Sequence, residues 1–265
     1  MRPAHELNRT FLGVWTFAVC VFVLAPLLFV VLVSLTPRDY ISLPTDGFSL
    51  RWYRALGDQA QFLRAGVNSV VIALEAAATA LVLGTLAALA TVRYRFPLRN
   101  TLRLMTTSPL FVPMVMSGLA ILIFFSSLGW TDQATRIYVA HTALTLPYVF
   151  RTVSASLAGF DMNQELAARN LGAHPVKAFL LVTLPQLGPG IVAGAIFAFI
   201  VSFDNVGMSI FLTGAQFTTL PVELFNYASY SNNPMTASVS VVMILFSFVA
   251  IALLERFFGL QKLMR

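Results

Sequence analysis

The sequence predicts an all-α integral membrane protein with six transmembrane helices, and three observations predict it. Of the 265 residues, 58% are hydrophobic and only 11% charged, where a soluble chain would carry about a quarter charged residues. Six apolar stretches separated by polar or Pro/Gly-marked segments are each long enough for a ~30 Å hydrocarbon core. The basic residues fall unevenly across the segments that join these stretches, as membrane topology requires.

The first span is expected over residues 11–35, a run without a charge. It is longer than the ~7–15 residues of a signal-peptide apolar region and no A-x-A site follows it, so it reads as an uncleaved helix. Pro37, Pro44 and Gly47 then break helix formation. Leu50, Trp52, Tyr53 and Leu56 suggest a short helix at the headgroup level. The second span, 67–92, places Ala76, Ala80, Gly84 and Ala88 every four residues. That spacing makes one face where a neighbouring helix can approach closely.

Arg93, Arg95, Arg99 and Arg103 follow as the densest basic cluster. The third span, 104–128, contains Pro109 and Pro113, which predict a kink or a broken start. The fourth, 137–157, holds His141, Pro147 and Arg151; the fifth, 190–212, repeats the small-residue pattern in Gly190, Gly194, Ala198 and Ser202. A loop from Thr213 to Met235 carries Glu223, Phe225, Tyr227 and Tyr230 and leads to the sixth span, 237–254. No soluble domain or long repeat interrupts the pattern, so residues 1–265 read as one transmembrane domain.

Between the fourth and fifth spans lies a more polar elbow, residues 161–185. Asp161 is a suitable N-cap, and Gln164 three residues on can answer it. Glu165 precedes Arg169 by one turn, the favourable order for an ion pair. Gly172 suits a left-handed helix end, and Pro175 suits the first turn of a second short helix running to Pro185. With six spans both termini share a side. Placing that side in the cytoplasm gives it eleven basic residues, among them Arg2, Arg9, Arg169, Lys177, Arg256, Lys262 and Arg265. The other side receives five, Arg38, Arg51, Arg54, Arg64 and Arg136, so the elbow is expected to be cytoplasmic.

Other classes are poorly served. The net charge of +6 comes from scattered residues without a basic stripe and interleaved aromatics, so nucleic acid is not an expected partner. The single Cys20 cannot form an intrachain disulfide, and His5, His141 and His174 have no ligand spacing, so no metal is expected. There is no G-x-x-x-x-G-K-[ST] loop to cradle nucleotide and no nucleophile–base constellation for a membrane-embedded enzyme. A secondary transporter would need coupling-ion sites and leaves the elbow unexplained.

The elbow resembles the cytoplasmic EAA loop of permease subunits in binding-protein-dependent ABC importers. Ala167-Ala168, Arg169-Asn170-Leu171, Gly172 and, nine residues on, Val182-Thr183-Leu184-Pro185 carry the resemblance. Where that loop has its Glu this chain has Leu166, and the acid stands one residue earlier at Glu165. Phe48-Ser49-Leu50-Arg51-Trp52-Tyr53, Ser202-Phe203-Asp204-Asn205 and Thr219-Leu220-Pro221 are similar to segments of the spermidine/putrescine permease group.

The resemblance implies a type I importer permease (MetI-like) fold in the bacterial inner membrane, multi-pass with both termini cytoplasmic. It implies a pore of two such subunits, as a heterodimer in the polyamine group, and a periplasmic substrate-binding protein. A separate ATP-binding subunit would grip the elbow and use the ATP; the chain itself would bind no cofactor and catalyse nothing. The coupling residues it implies are Asp161, Glu165, Leu166, Ala167, Ala168, Arg169, Leu171, Gly172, Leu184 and Pro185. The substrate would be a polyamine or similar cation, with ferric iron, thiamine or a phosphonate as alternatives within the class.

A charge inside a bilayer costs at least roughly 2.5–3.5 kcal/mol, so each one needs a reason. Glu75 and Asp204 both fall eight residues inside the expected outer span ends, about 12 Å deep. The two acids, with Asn205 beside Asp204, are expected to line a path for a cation. Hydrogen bonding to neighbouring helices is the competing role for both acids.

Overall fold

The computed structural model describes residues 3–41 and 47–258. Arg2, Pro44, Lys262 and Arg265 lie outside the described residues, as does the side chain of Arg9. Among the described residues the regular structure is helical throughout, without a strand. Lipid offers no hydrogen bonds, so an apolar run must satisfy its backbone within itself, and a helix does that.

The chain forms two compact units: residues up to Ala60 with Asn226–Phe246, and Gln61–Phe225 with the residues from Ser247 on. In the first, α1 (Pro3–Ser34) exposes apolar side chains along nearly all its described length, Phe22 at 79%. A surface of that extent calls for lipid or protein cover. Only its end is packed, with Val33, Ser34 and Thr36 buried. The short helix α2 (Arg51–Gly57) forms as expected and is tied to that end. Trp52 Nε1 donates to the Thr36 carbonyl at 3.1 Å, and the Tyr53 and Ser34 hydroxyls pair at 2.7 Å. Ser238 Oγ donates to the Ser34 carbonyl at 3.3 Å.

The second unit begins with α3 (Ala60–Arg93), seven residues longer at its start than the expected span. Its buried face includes Ala76, Ala80, Gly84 and Ala88, the small residues read from the sequence. The third expected span is not one straight crossing. It divides into α4 (Arg99–Thr107), a tight turn Ser108–Phe111 and α5 (Met114–Ser127), and the chain bends by 111°. Pro109 in that turn and Pro113 capping α5 supply the break.

The centre is α6 (Gln133–Ala158), whose N-cap Asp132 accepts from Thr135 N at 2.8 Å. After α7 (Met162–Asn170) and α8 (Pro175–Ala178), a π turn Phe179–Thr183 joins α9 (Leu184–Phe203). The elbow's second helix is therefore not separate from the fifth span: helix runs from Pro175 to Phe203. Pro185 lacks an N–H and would clash with the preceding turn, and the wider π turn just before it absorbs that conflict. The expected span 190–212 is also corrected at its far end, because α9 stops at Phe203. A helix α10 (Leu220–Tyr230) stands within the expected loop, and α11 (Met235–Phe258) closes the fold.

Among the described residues four helical stretches are long and apolar enough to cross a membrane: Phe11–Ser34, Ala60–Arg93, Pro175–Phe203 and Met235–Arg256. Counting the bent pair as one crossing makes five. The fourth expected span, 137–157, corresponds to α6, which has 26 residues but, with Arg136, His141 and Arg151, is less apolar than these stretches.

Both neighbours meet α6 at glycines. A Cβ at Gly84 would sit 2.9 Å from Val149 Cβ; one at Gly194 would sit 2.7 Å from Thr152 Oγ1 and 3.1 Å from Val149 Cα. At Gly190 it would meet the Thr152 carbonyl oxygen at 2.7 Å. Backbone cannot step aside as a side-chain tip can, so Gly190→Ala is expected to destabilise the protein by about 1–3 kcal/mol. Gly13→Ala, with nothing within 4 Å, should leave the midpoint nearly unchanged. Thermal unfolding of the detergent-solubilised protein compares the two.

Candidate functional site

The elbow is built by local rules that the sequence states almost completely. Asp161 accepts from Asn163 N at 2.9 Å and starts α7. At the other end Leu171 is the C-cap and Gly172 takes φ +90°, which an L side chain adopts only with strain. Ala173 N donates to the Ala168 carbonyl at 3.1 Å and Gly172 N to the Arg169 carbonyl at 3.0 Å. This pair of bonds is a Schellman turn, which satisfies carbonyls that the helix end leaves open. His174 Nδ1 then accepts from Val176 N and Pro175 opens α8. Gln164 does not close a capping box; its side-chain oxygen accepts from Gln186 Nε2 in α9.

Glu165 does not pair with Arg169 as expected. It turns inward, 7% exposed, and its Oε2 accepts from Arg93 Nη2 at 2.6 Å and from the Thr183 hydroxyl. Arg93, the last residue of α3, also donates to Thr183 Oγ1 at 3.1 Å. Its guanidinium carbon lies 5.9 Å from the Phe160 ring centroid and 5.5 Å from that of Phe179, within cation–π range. Burial disfavours the charged carboxylate, yet the hydrogen bonds from Thr183 and Arg93 and the charges of Arg93 and Arg169 outweigh it. The Glu165 carboxyl is held below its ordinary range. Sequence reasoning missed Arg93 and Thr183 as partners; the only signal was an arginine at the exact end of a long apolar helix.

The outward side of the elbow carries several apolar side chains among its polar ones. Leu171 is 90% exposed, and Leu166, Met162, Val176 and Leu180 are exposed around it. Ala167, Arg169 and Pro185 are also exposed, while Ala168 and Leu184 are half-buried. The one-residue shift of the acid thus decides orientation: position 165 faces the fold and position 166 faces out.

A second polar cluster lies where α9 ends. His141 is buried, with Nδ1 2.8 Å from Ser202 Oγ and Nε2 2.8 Å from Ser209 Oγ. Asn205 Oδ1 accepts from Met208 N at 3.1 Å, Ser209 N at 3.3 Å and Ser209 Oγ at 3.2 Å. With the Ser209 proton given to Asn205, Nε2 of His141 must be the donor and Nδ1 accepts from Ser202. The Asn205 side chain takes up the N–H groups of the following turn, which is why helix stops here although Val206–Leu212 remains apolar.

Asp204 is the C-cap of α9 and its side chain is exposed, whereas Asn205 is buried. A carboxylate at a helix C-terminus meets the negative end of the dipole, unfavourable by about 0.3–1 kcal/mol. Glu75 is exposed on α3, fifteen residues from its start at Ala60, about 22 Å along the helix. The equal eight-residue offsets expected for the two acids are not found when counted from the helix ends, since α3 starts earlier and α9 stops sooner than the expected spans. Among the described residues no hydrogen bond or ion pair joins them.

The family model described as binding-protein-dependent transport system inner membrane component matches residues 80–259. The putrescine transport system permease protein PotI of Escherichia coli (strain K12) is 35% identical, across 84% of this chain and 82% of its own. The spermidine/putrescine transport system permease protein PotC of Haemophilus influenzae is 30% identical, across 93% of this chain and 96% of its own. A chain in the crystal structure of a bacterial ABC transporter involved in the import of the acidic polysaccharide alginate superposes with TM-score 0.70 at 15% identity, covering 99% of this chain and 98% of that one. The last likeness is one of fold.

Because the folded pKa of Glu165 lies below its unfolded value, its contribution is complete above about pH 4.3 and is lost as pH falls through the lowered folded value. The protection factors of residues 162–185, with the intrinsic pH dependence of amide exchange divided out, should therefore be flat from neutral pH down to that point and fall below it. Glu165→Gln should show lower protection at neutral pH and a weaker fall in acid.

Proposed function

The chain belongs to the family of binding-protein-dependent transport system inner membrane components, and from that premise we propose that it is a pore subunit of an ATP-driven importer for a polyamine or similar cation. A permease subunit of an ABC importer is a multi-pass inner-membrane protein and is not itself an enzyme. The finer reading is that residues 161–185 receive a separate ATP-binding subunit on the cytoplasmic side, where both termini also lie. A second permease subunit, as a heterodimer, completes the pore, and a periplasmic binding protein delivers the solute.

The observation that carries this reading is the elbow's two-sidedness. Glu165 ties it inward while Leu171, at 90% exposure, stands out at a rigid Schellman turn. An apolar side chain held out from a fixed turn supports a docking role for Leu166, Ala167, Leu171 and Gly172, with Asp161, Ala168, Arg169, Leu184 and Pro185 shaping the surface. The names of the relatives support a polyamine. So does Asp204, an exposed acid set against a helix dipole, which a cation would relieve; Glu75, exposed on an apolar helix, is the second candidate on the path.

Leu171→Asp alters no internal contact of consequence and should weaken capture of the ATP-binding subunit by about 30-fold or more. Retention of that subunit at unaltered affinity would count against the docking role. Asp204→Asn in the assembled transporter should raise the KM for putrescine uptake roughly ten- to a hundredfold. An unchanged KM would remove Asp204 from the path. Proton-driven uptake by the chain alone would point instead to a secondary transporter.

A further inference from the structure

We infer that Arg93 is a positioning residue that carries displacement of the elbow into α3, through Glu165 and Thr183. The inference rests on the elbow reading above and deepens it. Any movement imposed on α7 must pass into the remainder of the fold through the contacts that hold it, and few of these are strong. Gly172 and the turn after it connect α7 onward through a short linker, and its outward face is free. On the inner face stands Glu165, whose Oε2 is shared by Arg93 and Thr183.

Arg93 suits the task by position as well as by charge. It is the terminal residue of a 34-residue helix, so a pull on its guanidinium acts along α3 rather than across a loop. Its side chain is only 11% exposed and sits between Phe160, which precedes α7, and Phe179, which opens the π turn. A planar guanidinium packed between rings and bonded at its end has little freedom to absorb motion by changing rotamer. Arg99 Nε donates to the Thr91 carbonyl and braces the same helix end. Farther along, Gly84 holds α3 close to Val149 of α6, so displacement of α3 reaches the centre of the unit. The contacts of Arg93 thus draw together the end of α3, the entry to α7 with α7 itself, and the π turn.

The test uses the complex of this chain with its ATP-binding subunit, in lipid nanodiscs, followed by hydrogen exchange with and without a non-hydrolysable ATP analogue. In the unaltered complex the analogue should change exchange both in residues 162–178 and in residues 85–93. With Arg93→Gln the change should persist in the elbow and be lost in residues 85–93. Arg93→Lys, which retains the charge, should restore it in part. Persistence of the full change in residues 85–93 of Arg93→Gln would overturn the inference. Should that variant fail to assemble, Glu165→Gln removes the ion pair from the other side and decides by the same comparison. No change in the elbow of the unaltered complex would refute the elbow reading itself, a different result from loss of transmission.

Discussion

Lipid tails are as apolar as leucine, so helices in a membrane gain nothing by hiding apolar surface from it; they associate by close packing and hydrogen bonds. In the larger unit this places the demand on α6. Gly84 of α3 and Gly190 and Gly194 of α9 bring their backbones against Val149 and Thr152, at separations that leave no room for a methyl group. The buried polar groups depend on those approaches. His141 reaches Ser202 because α9 lies this near, and the turn that exposes Asp204 is then held through Ser209 and Asn205.

The elbow follows a complementary logic. It is not packed by a small-residue face but anchored by charge at one point and shaped by backbone geometry at another. Arg93 and Glu165 are both largely buried, so the pair is costly to form and more costly to break: removing one member of such a pair typically costs about 3–5 kcal/mol. The Schellman turn at Gly172 fixes the outward surface without using a side chain of its own. Inner attachment and outer display are therefore independent, and either can be altered while the other stands.

Much of this was legible in the residues. The four-residue spacing of Ala76, Ala80, Gly84 and Ala88, and of Gly190, Gly194, Ala198 and Ser202, names the buried faces because small side chains at that period have a direct packing meaning. Asp161 and Gly172 were legible for a similar reason, since caps are local chemistry. What hydropathy could not show was where apolar chain ceases to be helix. Residues 206–212 are mostly apolar, yet α9 ends before them, where the Asn205 side chain accepts from the N–H groups of Met208 and Ser209. Nor could spacing reveal that Glu165 prefers Arg93, seventy-two residues away, to Arg169 one turn away. Ion pairs across a fold are chosen by burial, which a local pattern does not contain.

The π turn at Phe179–Thr183 has one more consequence. By letting helix pass Pro185 without stopping, it makes Pro175–Phe203 one continuous helical stretch of 29 residues, about 44 Å long if straight. One end of that stretch emerges from the Gly172 turn, and the other bears Asp204. A tilt of about 5° about either end moves the opposite end by nearly 4 Å, on the order of a side chain's width. Asp204 and the elbow thus stand at opposite ends of one helical stretch, and whatever tilts that stretch moves one relative to the other.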